Sequence, residues 1–121
     1  MTAVLFVSHD SDLRAAASRV LAMAGCRVTA AAHAGHASLA CMETASFDVL
    51  VIEGDMPDGS GQDIADRLRR YCPAVQVVRM FNADSAAPAS GIALVRPFLA
   101  DDLIRAVSDA SHYARRGATT L

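Results

Sequence analysis

Short apolar segments alternate with segments of helical periodicity along the whole chain. The apolar segments are continuous runs, which is typical of parallel strands covered by helices on both faces of a sheet. Strands are predicted over residues 3–7, 27–31, 49–52, 75–80 and 92–95, and helices over residues 12–24, 34–44, 62–71 and 101–114. This order predicts an α/β fold, a doubly wound five-stranded parallel sheet with right-handed crossovers.

The chain of 121 residues is short enough to form a single domain, predicted over residues 1–114. The last helix is predicted to end at Ala114, before Gly117, so that residues 115–121 form a frayed tail. The helical patterns also predict which residues point inward: Leu39, Ala40 and Met42 in the second helix, and Ile64, Ala65 and Leu68 in the third.

Charge and cysteine usage exclude several classes of protein. The formal net charge is −2 and the pI is near 6.0, which argues against nucleic-acid and membrane-surface partners. Cys26, Cys41 and Cys72 are odd in number and widely spaced, so we expect packed thiols rather than a disulfide framework or a zinc site. No apolar run is long enough to span a membrane and no signal-peptide pattern is present, so we expect a cytoplasmic protein.

The most informative segment is FDVLVIEGDMPDGSG, residues 47–61. A buried strand runs directly into Glu53 and Asp55 and then into a turn rich in proline, glycine and serine. In open parallel sheets, ligands and reacting groups lie in the crevice outside the carboxyl ends of the strands. Glu53 is therefore the first candidate for a functional residue.

Three ordered motifs resemble the receiver domain of bacterial two-component response regulators. They are VLFVSHDSDLR at residues 4–14, FDVLVIEGDMPDGSG at residues 47–61 and LVRPFLADDL at residues 94–103. The resemblance implies a flavodoxin-like (CheY-like) fold, and it implies a signalling module rather than an enzyme. In this family a histidine kinase passes a phosphoryl group to an aspartate with the help of Mg²⁺.

The residues that the resemblance places in this chemistry are altered here. Ser8 and His9 stand at the places of the acidic pair that holds Mg²⁺, and Glu53 stands at the place of the phosphoacceptor aspartate. Phe81 replaces the serine or threonine that binds the phosphoryl group, and Arg96 replaces the lysine. We therefore expect no cofactor, because Mg²⁺ binding should be lost or weak.

Two hypotheses follow from these replacements. Glu53 and Arg96 form a standing ion pair that imitates part of the phosphorylated site, or they are a rim pair without conformational effect. In addition, Ala93 stands where the family has an aromatic switch residue, so Phe81 is expected to fill the volume that Ala93 leaves.

The connection from Asn82 to Gly91 is shorter than the family's crossover and contains Pro88. We expect the fourth helix to be shortened or missing. A thinned crossover uncovers apolar surface of the sheet, which predicts a protein partner or a homodimer contact around this connection and the last helix. A histidine kinase is a further candidate partner.

The sequence thus predicts an atypical single-domain response regulator, a pseudo-receiver that acts through protein contacts without phosphorylation. The first alternative is a receiver that is still phosphorylated, on the neighbouring Asp55 or Asp10. The second is a metal-dependent, hydrolase-like centre of His9, Asp10, Glu53 and Asp55. His33 and His36 have a spacing that would suit a metal, but the sequence offers no third ligand.

Overall fold

The computed structural model describes residues 1–43, 46–83 and 91–119 of the chain. Its strands are β1 (Ala3–Val7), β2 (Arg27–Ala31), β3 (Val49–Glu53), β4 (Asp55–Met56), β5 (Gly59–Ser60), β6 (Gln76–Asn82) and β7 (Ile92–Arg96). Its helices are α1 (Ser11–Met23), α2 (Ala34–Glu43), α3 (Gly61–Leu68) and α4 (Ala100–Thr119). Strands β2, β1, β3, β6 and β7 form one parallel sheet in that order, which confirms the predicted fold class.

Helices cover both faces of the sheet, because successive side chains of a strand point to opposite faces. Leu5 and Leu50 lie in one core cluster together with residues of α2 and α3. Phe6 and Val51 lie in the other cluster, together with residues of α1 and α4. All four side chains are at most 1 % exposed, so β1 and β3 form the centre of the molecule.

The predicted inward face of α2 is wrong. Leu39 and Met42 are 53 % and 62 % exposed, and of the three predicted residues only Ala40 packs against the core. The residues that α2 buries are small: Ala34, Ala37 and Cys41. Small side chains let the helix lie close to the sheet, whereas the larger side chains on the other face remain in solvent. In α3, by contrast, the predicted inward residues are confirmed.

The last helix is longer than predicted. It begins at Ala100 and continues through Gly117 to Thr119, so the predicted end at Ala114 is wrong. Gly117 thus lies inside the helix and does not end it. Within the described residues, neither α4 nor any other helix has the length and apolar character needed to cross a bilayer.

The predicted short crossover lies between the end of β6 and the start of β7. Residues 84–90 of this connection lie outside the described residues. The described part of the chain contains four helices for five parallel strands, which agrees with a shortened or missing helix at this point.

A small hairpin of β4 and β5 follows β3 and was not predicted as strands. The chain then returns to the strand end, where the backbone N–H of Gly61 donates to the carbonyl of Gly54 at 2.8 Å. A Cβ atom on Gly61 would lie 2.1 Å from the carbonyl oxygen of Glu53, so this return requires glycine. At the hairpin turn, Asp58 accepts a hydrogen bond of 2.8 Å from the backbone N–H of Ala34 and thereby caps α2.

The three cysteines are free thiols, as expected. Cys41 and Cys72 are buried in the same core cluster, and Cys26 is half-buried. Burial, together with the neighbouring thiol of Cys72, raises the pKa of Cys41 to about 12. A thiol with so high a pKa is a poor nucleophile at neutral pH, which supports a packing role for it.

Candidate functional site at the carboxyl ends of the strands

The carboxyl ends of β1, β3, β6 and β7 meet at one rim of the sheet. An open cavity of about 370 Å³ lies at this rim. Five of the candidate residues line it: His9, Glu53, Asp55, Phe81 and Arg96. The structure therefore brings most of the candidate residues to a single place.

Glu53 is the last residue of β3 and is only 3 % exposed. Its Oε2 atom lies 2.5 Å from Nδ1 of His9, and its Oε1 atom lies 3.0 Å from Nη2 of Arg96. Within the described structure, Oε1 accepts no hydrogen bond of good geometry, so the contact with Arg96 is an ion pair without an aligned N–H. A buried carboxylate is costly unless it is paired, and both oxygens of Glu53 face cationic or donor groups.

His9 places its ring between Glu53 and solvent, with 52 % of its side chain exposed. A carboxylate that is paired with a guanidinium can only accept hydrogen bonds, so Nδ1 of His9 carries the hydrogen and donates it. In the neutral ring, Nε2 then keeps its lone pair. The backbone N–H of His9 also points towards Oε2 of Glu53, at the longer distance of 3.4 Å.

Ser8 and Asp10 serve the loop that joins β1 to α1. Ser8 is fully buried, and its hydroxyl accepts a hydrogen bond of 3.1 Å from the backbone N–H of Asp10. Asp10 caps α1, because Oδ1 accepts from the backbone N–H groups of Asp12 and Leu13 at 3.0 and 3.2 Å. The side chain of Asp10 is therefore used by the helix, and it is not among the residues that line the cavity.

Phe81 and Ala93 lie on neighbouring strands and on the same face of the sheet. The register pairs Phe81 with Val95 and Ala93 with Arg79. Phe81 belongs to β6 itself and is half-buried, whereas Ala93 is exposed. Ala93 thus lies two residues before Val95, the partner of Phe81, and the filling of one volume by the other stays a prediction.

His33 and His36 stack on each other at the start of α2, with 4.0 Å between the ring centroids. Nδ1 of His33 accepts a hydrogen bond of 3.3 Å from the backbone N–H of His36, so the pair helps to begin the helix. Among the described residues, no group of three or more histidine, cysteine, aspartate or glutamate side chains is placed to hold a metal ion. The structure therefore offers no support for a metal at this pair or at the rim.

Sequence reasoning missed two residues of this region. Arg79 lines the cavity and has interactions of its own. Its signal was present, since it is a charged residue inside the apolar run of residues 77–81. Asp58 caps a helix that begins 24 positions earlier in the chain, and no local pattern indicates such a contact.

The family of the chain is decided by its sequence match. Residues 4–105, from β1 into α4, match the family described as the response regulator receiver domain. The chain belongs to this receiver-domain family. The matched region of this receiver contains every residue of the rim. A search of curated proteins finds no relative that matches.

Solved structures of receiver domains have the same fold as this receiver. A response regulator receiver domain protein from Clostridium thermocellum superimposes with a TM-score of 0.84 at 22 % identity, covering 95 % of this chain and 98 % of that one. A CheY-like receiver domain protein from Methanospirillum hungatei gives a TM-score of 0.80 at 18 % identity, with the same coverage of 95 % and 98 %. The chemotaxis protein CheY4 of Vibrio cholerae gives 0.80 at 22 % identity, covering 91 % and 98 %.

Proposed function

We propose that this receiver is an atypical single-domain response regulator that acts through protein–protein contacts and without phosphorylation of an acidic residue. Its family places it in two-component signalling. The altered rim is the reason for proposing a departure from the family's phosphorylation chemistry. We further propose that the protein is not an enzyme, needs no cofactor and works in the cytoplasm.

The observation that carries this proposal is the state of Glu53. A phosphoacceptor must present a carboxylate oxygen to the phosphorus atom, but the carboxylate of Glu53 is buried and is held by His9 and Arg96. Displacement of a reacting atom by about 1 Å costs roughly a hundredfold in rate, and the extra methylene of glutamate moves the carboxylate by a comparable distance. The ion pair between Glu53 and Arg96 supports the hypothesis that these two residues imitate part of the phosphorylated site without a phosphoryl group.

The residues at the rim do not fit Mg²⁺. A hard cation prefers several oxygen ligands, mainly carboxylates. Ser8 is buried and hydrogen-bonded within its loop, His9 is bound to Glu53, and Asp10 caps α1. Glu53, the buried carboxylate at the rim, faces two nitrogen atoms, which supports the expectation that Mg²⁺ binding is lost or weak.

The proposed contact face is the region of residues 82–91 together with α4, where a protein partner or a second copy of the chain would bind. Val95 in β7 and Leu99 just before α4 are 44 % and 74 % exposed. Large exposed apolar residues that lie close together are common at protein interfaces. A histidine kinase is one candidate partner, whereas we expect neither nucleic acid nor membrane to bind this acidic protein.

The test is incubation of the purified protein with acetyl phosphate and Mg²⁺, followed by intact mass measurement. We expect no added phosphoryl group, while a receiver that retains its aspartate and acidic pair is modified in parallel. The Glu53→Asp variant should also remain unmodified, because it restores the acceptor but not the metal ligands. A base-labile adduct on an aspartate of the native protein would refute the proposal.

One alternative keeps some support from the structure. Asp55 is exposed and lines the cavity, so it could receive a phosphoryl group where Asp10, as a helix cap, could not. In that case the adduct formed from acetyl phosphate would be absent from the Asp55→Asn variant and present in Asp10→Asn.

A further inference from the structure

His9 carries a ring nitrogen that the proposed function does not use. Nδ1 is bound to Glu53 at 2.5 Å, and the half-exposed ring leaves Nε2 on the side away from that carboxylate. A buried carboxylate that orients an imidazole through one nitrogen leaves the other nitrogen in the correct tautomer to act as a base or nucleophile. His9 therefore has the two features of an activated histidine: a carboxylate that orients its ring and a lone pair on the other nitrogen.

The cavity beside His9 also contains a cation suited to an incoming anion. Arg96 is 26 % exposed and has five N–H donors, and among the described residues its partner is Glu53 alone, through Nη2. The remaining donors have the planar geometry that matches phosphate oxygens. The cavity that His9 lines therefore also contains a positively charged side chain that can bind an anion.

We propose that Nε2 of His9 is a phosphoryl acceptor, which takes a phosphoryl group from small donors with a reactive P–N bond. The acceptor goes beyond the proposed function, which concerns carboxylates and stands whether or not His9 reacts. No metal ligand is needed, because the acceptor nitrogen is uncharged before the reaction.

The step balances without a further reactant. With phosphoramidate as donor, the lone pair of Nε2 attacks phosphorus, the N–P bond to His9 forms, and the P–N bond of the donor breaks. Ammonia leaves with the electron pair of the broken bond and with the three hydrogens that the zwitterionic donor already carries. The positive charge that develops on the ring lies against Glu53, whose carboxylate stabilises it while Nδ1 keeps its hydrogen.

Other histidines of the chain provide comparisons. Nδ1 of His33 accepts a hydrogen bond, so its neutral ring carries the hydrogen on Nε2 and has no lone pair there. Nδ1 of His112 lies 2.8 Å from the carbonyl oxygen of Ser108, to which it donates, so His112 has the same tautomer as His9 and is exposed. Among the residues whose side chains the structure describes, no carboxylate and no arginine lies at hydrogen-bonding or ion-pair distance from His112, which makes it the matched control.

The experiment uses the full chain and potassium phosphoramidate without Mg²⁺, with intact mass measurement and peptide mapping at neutral pH. We expect an acid-labile, base-stable adduct on His9 that forms at least about tenfold faster than any adduct on His112. The adduct should be lost in His9→Gln, retained in His112→Gln and slowed in Glu53→Gln.

The ratio of His9 to His112 in the native protein decides the question even if a variant fails to fold. Equal rates at the two histidines, or no adduct on His9, would overturn the proposal. The lability of the adduct in acid or base shows which type of residue carries the phosphoryl group, and this separates the two proposals. An acid-labile adduct on histidine leaves the proposed function intact. A base-labile adduct on aspartate refutes the proposed function and has no bearing on His9.

Discussion

Arg96 forms an ion pair with Glu53 across the width of β6, since Nη2 at the end of β7 lies 3.0 Å from Oε1 at the end of β3. Replacement of Glu53 by Gln keeps the size of the side chain but removes its charge. Arg96 and His9 then lose their anionic partner, so we expect the free energy of unfolding to fall by about 1–2 kcal/mol. Urea denaturation with an unchanged m value measures this effect.

The control for this substitution is Asp55→Asn, which removes a charge from an exposed position in the same cavity. Its effect should remain within about 0.5 kcal/mol. Equal stability of the two variants would show that the buried ion pair does not contribute to the fold.

The hydrogen bond between Asp58 and Ala34 ties the hairpin after β3 to the first turn of α2. Removal of the carboxylate in Asp58→Ala leaves this backbone N–H without its partner, and loss of such a cap costs about 1 kcal/mol. Hydrogen exchange should show faster exchange in the first turn of α2 and little change in α1. The same measurement on Asp55→Ala, in the same hairpin, should leave α2 unchanged.

The raised pKa of Cys41 predicts how stability depends on pH. Burial and the adjacent Cys72 raise the pKa of this thiol from 9.0 to about 12, so above pH 9 the unfolded chain loses a proton that the folded chain retains. The contribution is therefore fully present below pH 9 and is lost as the pH rises towards 12. The chain has no lysine that would titrate in the same range.

Denaturation curves between pH 8 and pH 11 test this prediction, with Cys41→Ala as the comparison. The variant should have lower stability at pH 8 and a smaller decline above pH 9. Identical slopes for the two proteins would show that Cys41 is not the titrating group.

The exposed and buried faces of α2 can be compared by a pair of substitutions. Leu39→Ala removes a side chain that is 53 % exposed, so the loss should be below about 1 kcal/mol. Ala37→Leu adds volume at a fully buried position, and overpacking of this kind costs about 1–3 kcal/mol. Thermal unfolding measures both, and the reverse order would mean that α2 is rotated relative to the structure.

The parallel sheet was predictable because most of its strands are apolar runs, which are typical of a sheet covered on both faces. Which face of α2 is buried was not predictable in this way. Hydropathy gives most weight to large residues such as Leu39 and Met42, whereas close packing selected Ala34, Ala37 and Cys41. Small side chains fill the buried face of α2. The hydropathy pattern along the helix is therefore weak and does not show which face is buried.

The candidate site was predictable to the extent that its motifs belong to a family. The positions of Glu53 and Arg96 followed from motifs at the ends of two strands, and the structure places the two side chains together. The contact of His9 with Glu53 joins residues 44 positions apart and arose at a place where the family has an acid. Only the folded geometry shows that the imidazole meets the carboxylate.

The close approach of Gly61 to the carbonyl oxygen of Glu53 sets a limit on how this rim can vary. The clash that a side chain would create there is with main chain of the central strand, so no change of rotamer can relieve it. In a saturation library of residues 54–61, position 61 would return a single amino acid while exposed positions such as Asp55 and Pro57 returned many. The range of sequences that this charged rim can adopt thus depends on a residue that has neither charge nor side chain.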